Sequence, residues 1–468
     1  MKRTLCLLLA LLLAAVCCAC GKGDDGDAAD SEQLTYYFTK EYKDDTVDKI
    51  QRYNRWCTSH STEDMKIKLI EFDNFETMSQ RLNIEVMAGA GPDLFSNNMD
   101  LPFEHLMKTG AFYDLNELIE SDTASDKIDL SAYNQTVMDA GLYEGKRYFL
   151  PLFYRVYTLV GEKETLQKFH MPTEQGYHLT FDNMDEVFAD YLQDPKGYDF
   201  MSGDERSGAV NANTVILRLI NSQVDFENQS VSFDEGFKEK LELMSRLREH
   251  SEISAAEEPA VSDSKEQDPC LFNPLHSFSN PIYMEFMMSL PDDIQIDERA
   301  KDPVLYSCFE KDENTYSAGI VDAIFVRSNI KKEKRDKALA FLKYLLGDHV
   351  QNLYTGTGEE YSYGGSIDYL PVLNSAYENC IRDAKNIGAL FDMYGISIKP
   401  KEELSPVTQA LIDHIEKIDS VELYFDLYNA SYDKNVAVPI LQDYWDGKTN
   451  IDKCADNLSS ATKIYIWE

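Results

Sequence analysis

The chain has 468 residues, 43% of them hydrophobic, with 82 Asp plus Glu against 45 Lys plus Arg and a formal net charge of −37. Such acidity repels nucleic acid and anionic membrane surfaces, and it disfavours a strongly anionic ligand unless the pocket is locally basic. A chain this long with that apolar share predicts two or more domains, each with its own core.

Lys2 and Arg3 precede an apolar run from Leu5 to Val16. Two positive charges before a short apolar core are the chemistry of a secretory signal, and the run is shorter than the roughly 20 residues a bilayer span needs. The segment closes Val16-Cys17-Cys18-Ala19-Cys20-Gly21. A small residue, then Cys, then Gly resembles a bacterial lipobox, which makes Cys20 the expected lipidated residue; Cys17 and Cys18 stay open. Residues 1–19 are then a lipoprotein signal peptide. Residues 20–33, small, polar and acidic, are a flexible tether. The remaining cysteines, Cys57, Cys270, Cys308, Cys380 and Cys454, are odd in number and widely spaced. They form no disulfide framework and no zinc pair, and are expected as scattered buried thiols.

Along the body, strand-like and helix-like segments alternate, the pattern of an α/β fold with parallel sheets. Leu34–Phe38 reads as a first strand, and Asp44–Cys57 as an amphipathic helix with Val47, Ile50, Tyr53, Trp56 and Cys57 near helical spacing. Lys66–Phe72 alternates like a second strand, Phe75–Ala88 reads as a second helix, and Pro92–Phe95 as a short third strand. Tyr148–Gly161 is one β-prone run, longer than the usual five or six residues and interrupted by Pro151. Such a run suits a passage between domains. Thr180 and Asp182 mark a helix start before Met184–Leu192. Val224–Phe233 reads as a hairpin turning at Asn228-Gln229, and His250–Asp268 as an exposed loop. A second long β-prone run, Gly319–Arg327, leads into a helix over Lys332–Leu346 with a buried stripe of Ala338, Phe341, Leu342, Leu345 and His349. Val438–Tyr465 is helical at its ends.

Several of these segments resemble, in order, the family 1 extracellular solute-binding proteins, the sugar-type binding subunits of ABC importers. Ile84–Phe95 (IEVMAGAGPDLF) is similar to that family's helix ending in Ala-Gly-x-x-Pro-Asp before a strand. Tyr143–Tyr154 (YEGKRYFLPLFY) resembles its Gly-Lys-x-Tyr-x-x-Pro run into the first interdomain crossing. Ala111–Leu118, the Lys334–Leu346 helix with Gln351, Leu370-Pro371-Val372 and the closing Gly447–Ile466 also fit, whereas Phe181 stands where the family has Trp. The resemblance implies an α/β, two-lobed, periplasmic-binding-protein-like (type II) fold with a hinge. It places 34–153 plus 312–330 in the first lobe and 154–311 plus 331–468 in the second. It implies a lipid-anchored, extracytoplasmic protein, monomeric, that passes a small polar solute, a mono- or oligosaccharide, to an ABC permease.

Ligands of open α/β sheets sit outside the carboxyl ends of strands. With two lobes facing each other, the candidate ligand contacts are therefore Glu41 and Tyr42 after the first strand, Asp73 and Asn74 after the second, and Asn97 and Asn98 after the third. Tyr154 and Arg155 stand on the first crossing, and Phe278 and Asn280 follow the β-prone Cys270–Phe278. The resemblance favours Arg155, four residues after Pro151, as a ligand-contacting polar side chain. Amides and carboxylates suit hydroxyls, and aromatic faces suit sugar C–H surface. Each has a plainer reading too: Asp73 and Asn74 as helix caps, Asn97 and Asn98 as turn residues, Glu41 as solvated, Tyr154 as hinge core. The chain carries no nucleophile elbow, HExxH, Walker-type loop or His pair at metal spacing, so no catalysis, cofactor or metal is expected. A surface sensory or adhesive lipoprotein, and behind it a surface glycosidase, are the competing readings.

Overall fold

The structure is a computed structural model that describes residues 32–41, 45–99, 101–201, 211–225, 228, 230–251, 269–272, 279–289, 302–352, 369–388, 403–422 and 432–467. Cys20, Tyr42 and Phe278 lie outside the described residues, as do most of the expected loop at 250–268 and the signal and tether.

β1 (Leu34–Thr39) and β2 (Ile67–Phe72) pair in parallel as a two-stranded sheet of their own, with Leu34 opposite Ile67. Between them runs α1 (Asp45–Ser59), whose Val47, Ile50, Tyr53 and Cys57 are buried at helical spacing. Trp56, expected with that stripe, is instead 38% exposed and stacks on His60. α2 (Phe75–Met87) follows β2, and Gly89, with φ of +70°, turns the chain back toward β3 (Leu94–Ser96).

The long run at 148–161 is two strands, β4 (Phe149–Val156) and β5 (Thr158–Glu162), broken at Tyr157. β4 belongs with β3 to a five-stranded sheet of the first lobe and β5 to a four-stranded sheet of the second, so the run passes from one sheet to the other. The second sheet adds β6 (Asp199–Met201), β7 (Cys270–Phe272) and β8 (Pro303–Ser307) in the order β8-β5-β7-β6. α3 (Ala212–Asn221) and α4 (Glu235–Glu249) pack beside it. The chain then returns through β9 (Ser317–Val326), which pairs antiparallel with both β3 and β4.

Two large apolar clusters result, one for each lobe, and the first reaches over to Val160 and Leu305 of the second sheet. Val156 and Ala318 lie in the first, Tyr157, Cys308 and Phe309 in the second. The chain leaves the first lobe at 156–157, comes back between Phe309 and Ala318, and crosses again between Val421 and Tyr432. The C-terminal half divides differently from the expected boundaries. α5 (Lys332–Leu346) buries Ala338, Phe341, Leu342 and Leu345 in the first core, not the second. Leu370 and Pro371 then pair with Tyr154 and Phe153 at the edge of β4, whereas α6 (Pro406–Ile415) packs against β8 of the second sheet, its Val407 and Leu411 sharing a cluster with Leu305. The physical reason is β9: it ends deep in the first lobe beside β3, and α5 has only a short connection before it must bury its stripe. From Tyr432 onward, with α7 (Ile451–Trp467), the chain belongs to the second core.

The described cysteines are free, four of them buried and Cys270 half-buried. Among the described residues no helix is long and apolar enough to cross a membrane.

Candidate functional site

The parallel strands of the first lobe end on the side that faces the second lobe. β9 fixes this geometry: its start, Ser317–Ala318, lies at the crossings, and because it runs antiparallel to β3, the carboxyl end of β3 points the same way. The loops after β1, β2 and β3 therefore share one edge, as expected for a binding fold of this kind.

That edge contains both scaffold and open side chains. Asn97 is buried and spent on β9. Pairing between β4 and β9 slips around Asp322, and at this bulge the Asn97 amide donates to the Val321 carbonyl (3.0 Å) and accepts from the Ala323 N–H (2.8 Å). Asn97→Ala leaves two buried backbone groups without partners and should cost about 1–3 kcal/mol in urea unfolding. The bulge also holds a buried ion pair, with Lys49 of α1 2.5 Å from Asp322 and its ammonium over the Phe153 ring. Asn74 is the N-cap of α2, accepting from Thr77 N–H at 2.8 Å. Glu41 is exposed, and its carboxylate accepts from the Phe75 N–H at 3.0 Å at the same helix end. Tyr154 is 1% exposed, within the first core, and burial pushes its hydroxyl well above the usual range. Asn280 is fully buried: its side chain accepts from Ile282 N–H and donates to the Tyr369 carbonyl.

Four of the ten expected contacts, Asn74, Asn97, Tyr154 and Asn280, are thus committed to the scaffold. For Tyr154 and Asn280 burial excludes contact with a guest in this conformation. Asp73 is exposed, and Asn98 and Arg155 are half-buried. Arg155 lies over the Tyr157 ring at 5.2 Å, which holds the guanidinium at the crossing itself. The edge therefore offers Glu41, Asp73, Asn98 and Arg155, a set of hydrogen-bonding groups of both signs.

The lobes also flank an open cleft of about 710 Å³ that none of the ten residues lines. It lies between Leu142–Glu144 of the first lobe and Gln223, Asp225, Lys240 and Asp312. Its volume is within the range of small-molecule sites. Asp182 and Lys240 in its wall are ion-paired at 2.6 Å. Sequence reasoning missed this space because its walls meet only through the folding of two hairpins distant in the chain.

Missed as well was a buried network at the crossings. Arg218 of α3, 2% exposed, makes a bidentate pair with Glu422 (2.8 and 2.5 Å), donates to the Cys308 carbonyl, and lies 3.2 Å from Ser317 Oγ. Ser317 in turn donates through both its N–H and its hydroxyl to Glu310, and its Oγ lies 2.8 Å from Glu422. Burial pushes Glu310 up to about 8. No motif marks these residues. One Arg in the apolar stripe of α3, at a spacing that buries it, was the available signal. Among the described residues no group of His, Cys, Asp and Glu is arranged to hold a metal ion.

Two α/β lobes joined at the crossings, with a polar strand-end edge between them, make a two-lobed α/β fold. No protein-family profile matches the chain, and no curated protein matches it in sequence. Solved structures do. An ABC substrate-binding protein from Listeria monocytogenes in complex with cycloalternan is 14% identical, with a TM-score of 0.52, over 93% of this chain and 97% of the other. An extracellular solute-binding protein family 1 member from Alicyclobacillus acidocaldarius is 13% identical at 0.52, over 93% and 98%. UgpB from Mycobacterium tuberculosis in complex with glycerophosphocholine is 11% identical at 0.55, over 93% and 98%. At such identities the likeness is one of fold.

Proposed function

We propose that this chain is a solute-binding protein, not an enzyme, which captures a small polar solute, in the first place a mono- or oligosaccharide, between its lobes and delivers it to an ABC permease. The observation that carries this reading is the two-lobe architecture itself: two large apolar clusters, the crossings between them, and strand ends of the first lobe turned toward the second. A lipid on Cys20, or on Cys17 or Cys18, holds it outside the cell membrane, and it works as a monomer. The neighbour in complex with cycloalternan supports an oligosaccharide, and the one in complex with glycerophosphocholine supports a smaller polar solute as the next choice.

The solute is assigned to the strand-end edge with Glu41, Asp73, Asn98 and Arg155, and not to the cleft at Leu142–Glu144. Calorimetric titration of linear and cyclic oligosaccharides and of glycerophosphodiesters tests the reading. A true ligand at about 100 times its Kd should raise the unfolding free energy by about 2.7 kcal/mol. Arg155→Ala should weaken binding at least about tenfold, the value of one charged hydrogen bond, whereas Lys311→Ala in the cleft wall should leave it unchanged. A flat response to the whole panel overturns the solute class. Loss of binding in the Lys311 variant with Arg155→Ala unaffected overturns the placement. Closure of the lobes on the ligand should lower the radius of gyration in solution scattering.

A further inference from the structure

Three points at which the described chain changes lobe meet one side chain. Arg218 projects from α3 of the second lobe, flanked in its helix by Val215 and Leu219 of the second core. Its guanidinium lies over the ring of Tyr157, the breaking point of the first crossing, at 4.4 Å. It donates to the carbonyl of Cys308 where the second crossing leaves β8. It pairs with both oxygens of Glu422 where the third crossing leaves the first lobe. It also donates to Ser317 Oγ at the head of β9, and Glu422 N–H in turn donates to the Ala318 carbonyl at 2.8 Å. Three strands that bend between two domains thus share a single planar fork of donors, whose fixed geometry allows little sliding.

We propose that Arg218 is the fulcrum of the hinge: a positioning residue that holds the three crossings together at one point, so that the lobes rotate about it and do not slide or separate. The proposal stands whether or not the protein serves a transporter.

The fulcrum is short of positive charge. Two carboxylates, Glu422 and Glu310, flank one guanidinium, with Glu310 3.8 Å from it. The groups facing Glu310 are Arg218 from α3, Ser317 from β9, Glu422 from the third crossing and His414 from α6, whose Nε2 is 3.9 Å away. Burial leaves His414 neutral, pushed down to about 3, so it offers no charge. A proton on Glu310 removes the second negative charge. Above about pH 8 that proton leaves, and a buried carboxylate then competes with Glu422 for Arg218.

The test compares the intact protein with Glu310→Gln, which keeps the shape of the protonated acid, and with Arg218→Lys, which keeps the charge but loses the fork. Hydrogen exchange of the Ser317, Ala318 and Glu422 amides and solution scattering are recorded at pH 7 and pH 9.5, with exchange corrected for intrinsic base catalysis. In the wild type these amides should exchange about tenfold faster at pH 9.5 than at pH 7 after correction, with a broadened distance distribution. Glu310→Gln should show neither change, and Arg218→Lys should show both already at pH 7. Exchange at β1 and β5, inside each core, reports folding, and Ser317→Ala serves as a milder variant should Arg218→Lys not fold. Crossing amides as protected in Arg218→Lys as in the wild type, or in Ser317→Ala where that variant stands in, would overturn the fulcrum. A wild type indifferent to pH would overturn the role of the Glu310 proton.

Discussion

Asp93→Ala should be among the most destabilising single changes in the first lobe, with an expected loss of about 3–5 kcal/mol on the scale of breaking a buried ion pair from one side. Asp93 is fully buried. One oxygen accepts from Thr35 N–H (3.0 Å), Thr35 Oγ1 (2.9 Å) and Lys334 Nζ (2.7 Å), and the other from Arg327 at 2.6 Å. It thereby ties β1, the start of β3, the end of β9 and the first turn of α5. Truncation strands Lys334, which is 7% exposed, as a buried cation. Asp93→Asn keeps the shape and some of the hydrogen bonds but not the charge, and should cost less. Guanidinium unfolding with a two-state fit measures both. A loss below about 1 kcal/mol in the alanine variant would mean that water reaches the site and replaces the carboxylate.

This knot shows what a sequence can disclose and what it cannot. The Pro-Asp pair at 92–93 was legible as part of a helix-glycine-strand pattern, and so were β1, α1, β2, α2 and α5, because each buries one face and leaves that face's period in the sequence. That Asp93 works inside the lobe was not legible, since its partners Arg327 and Lys334 are more than 230 residues away. The same limit applies to Asn97 and Asn280. An Asn after a strand looks alike whether it meets a ligand or repairs a bulge, and the bulge at Asp322 is invisible until β4 and β9 are paired. Asn74 did announce itself, because helix capping is local. The place of α5 was not legible for a topological reason: periodicity says that α5 buries a stripe, not which core receives it.

The strongest pH behaviour should come from two neighbours at the hinge acting in opposite directions. His414 is buried, and loss of water, together with the nearby His178, Lys417 and Arg218, pushes it down to about 3 from 6.5. Its contribution to stability is complete above pH 6.5 and is lost as pH falls toward 3, because the unfolded chain takes up a proton that the folded one refuses. Glu310 is pushed up to about 8 from 4.5 by burial. The folded state binds its proton more tightly than the unfolded state, so this group destabilises progressively as pH rises from 4.5 to 8. Between pH 4.5 and 6.5 the two slopes, each up to about 1.4 kcal/mol per pH unit, oppose one another, and the wild type should change little on their account. Single variants expose the halves. Relative to the wild type, the stability of Glu310→Gln should fall by about 2 kcal/mol between pH 6.5 and 5, because the histidine slope loses the Glu310 counterweight. In His414→Gln the acid slope remains, and stability should rise over the same interval. Asp433, also pushed up to about 8 by burial, adds the same increment to every variant and cancels in the differences. Urea unfolding at half-unit steps from pH 5 to 8.5 reads the two signs, and parallel curves for the two variants would show that the pair does not titrate as its burial demands.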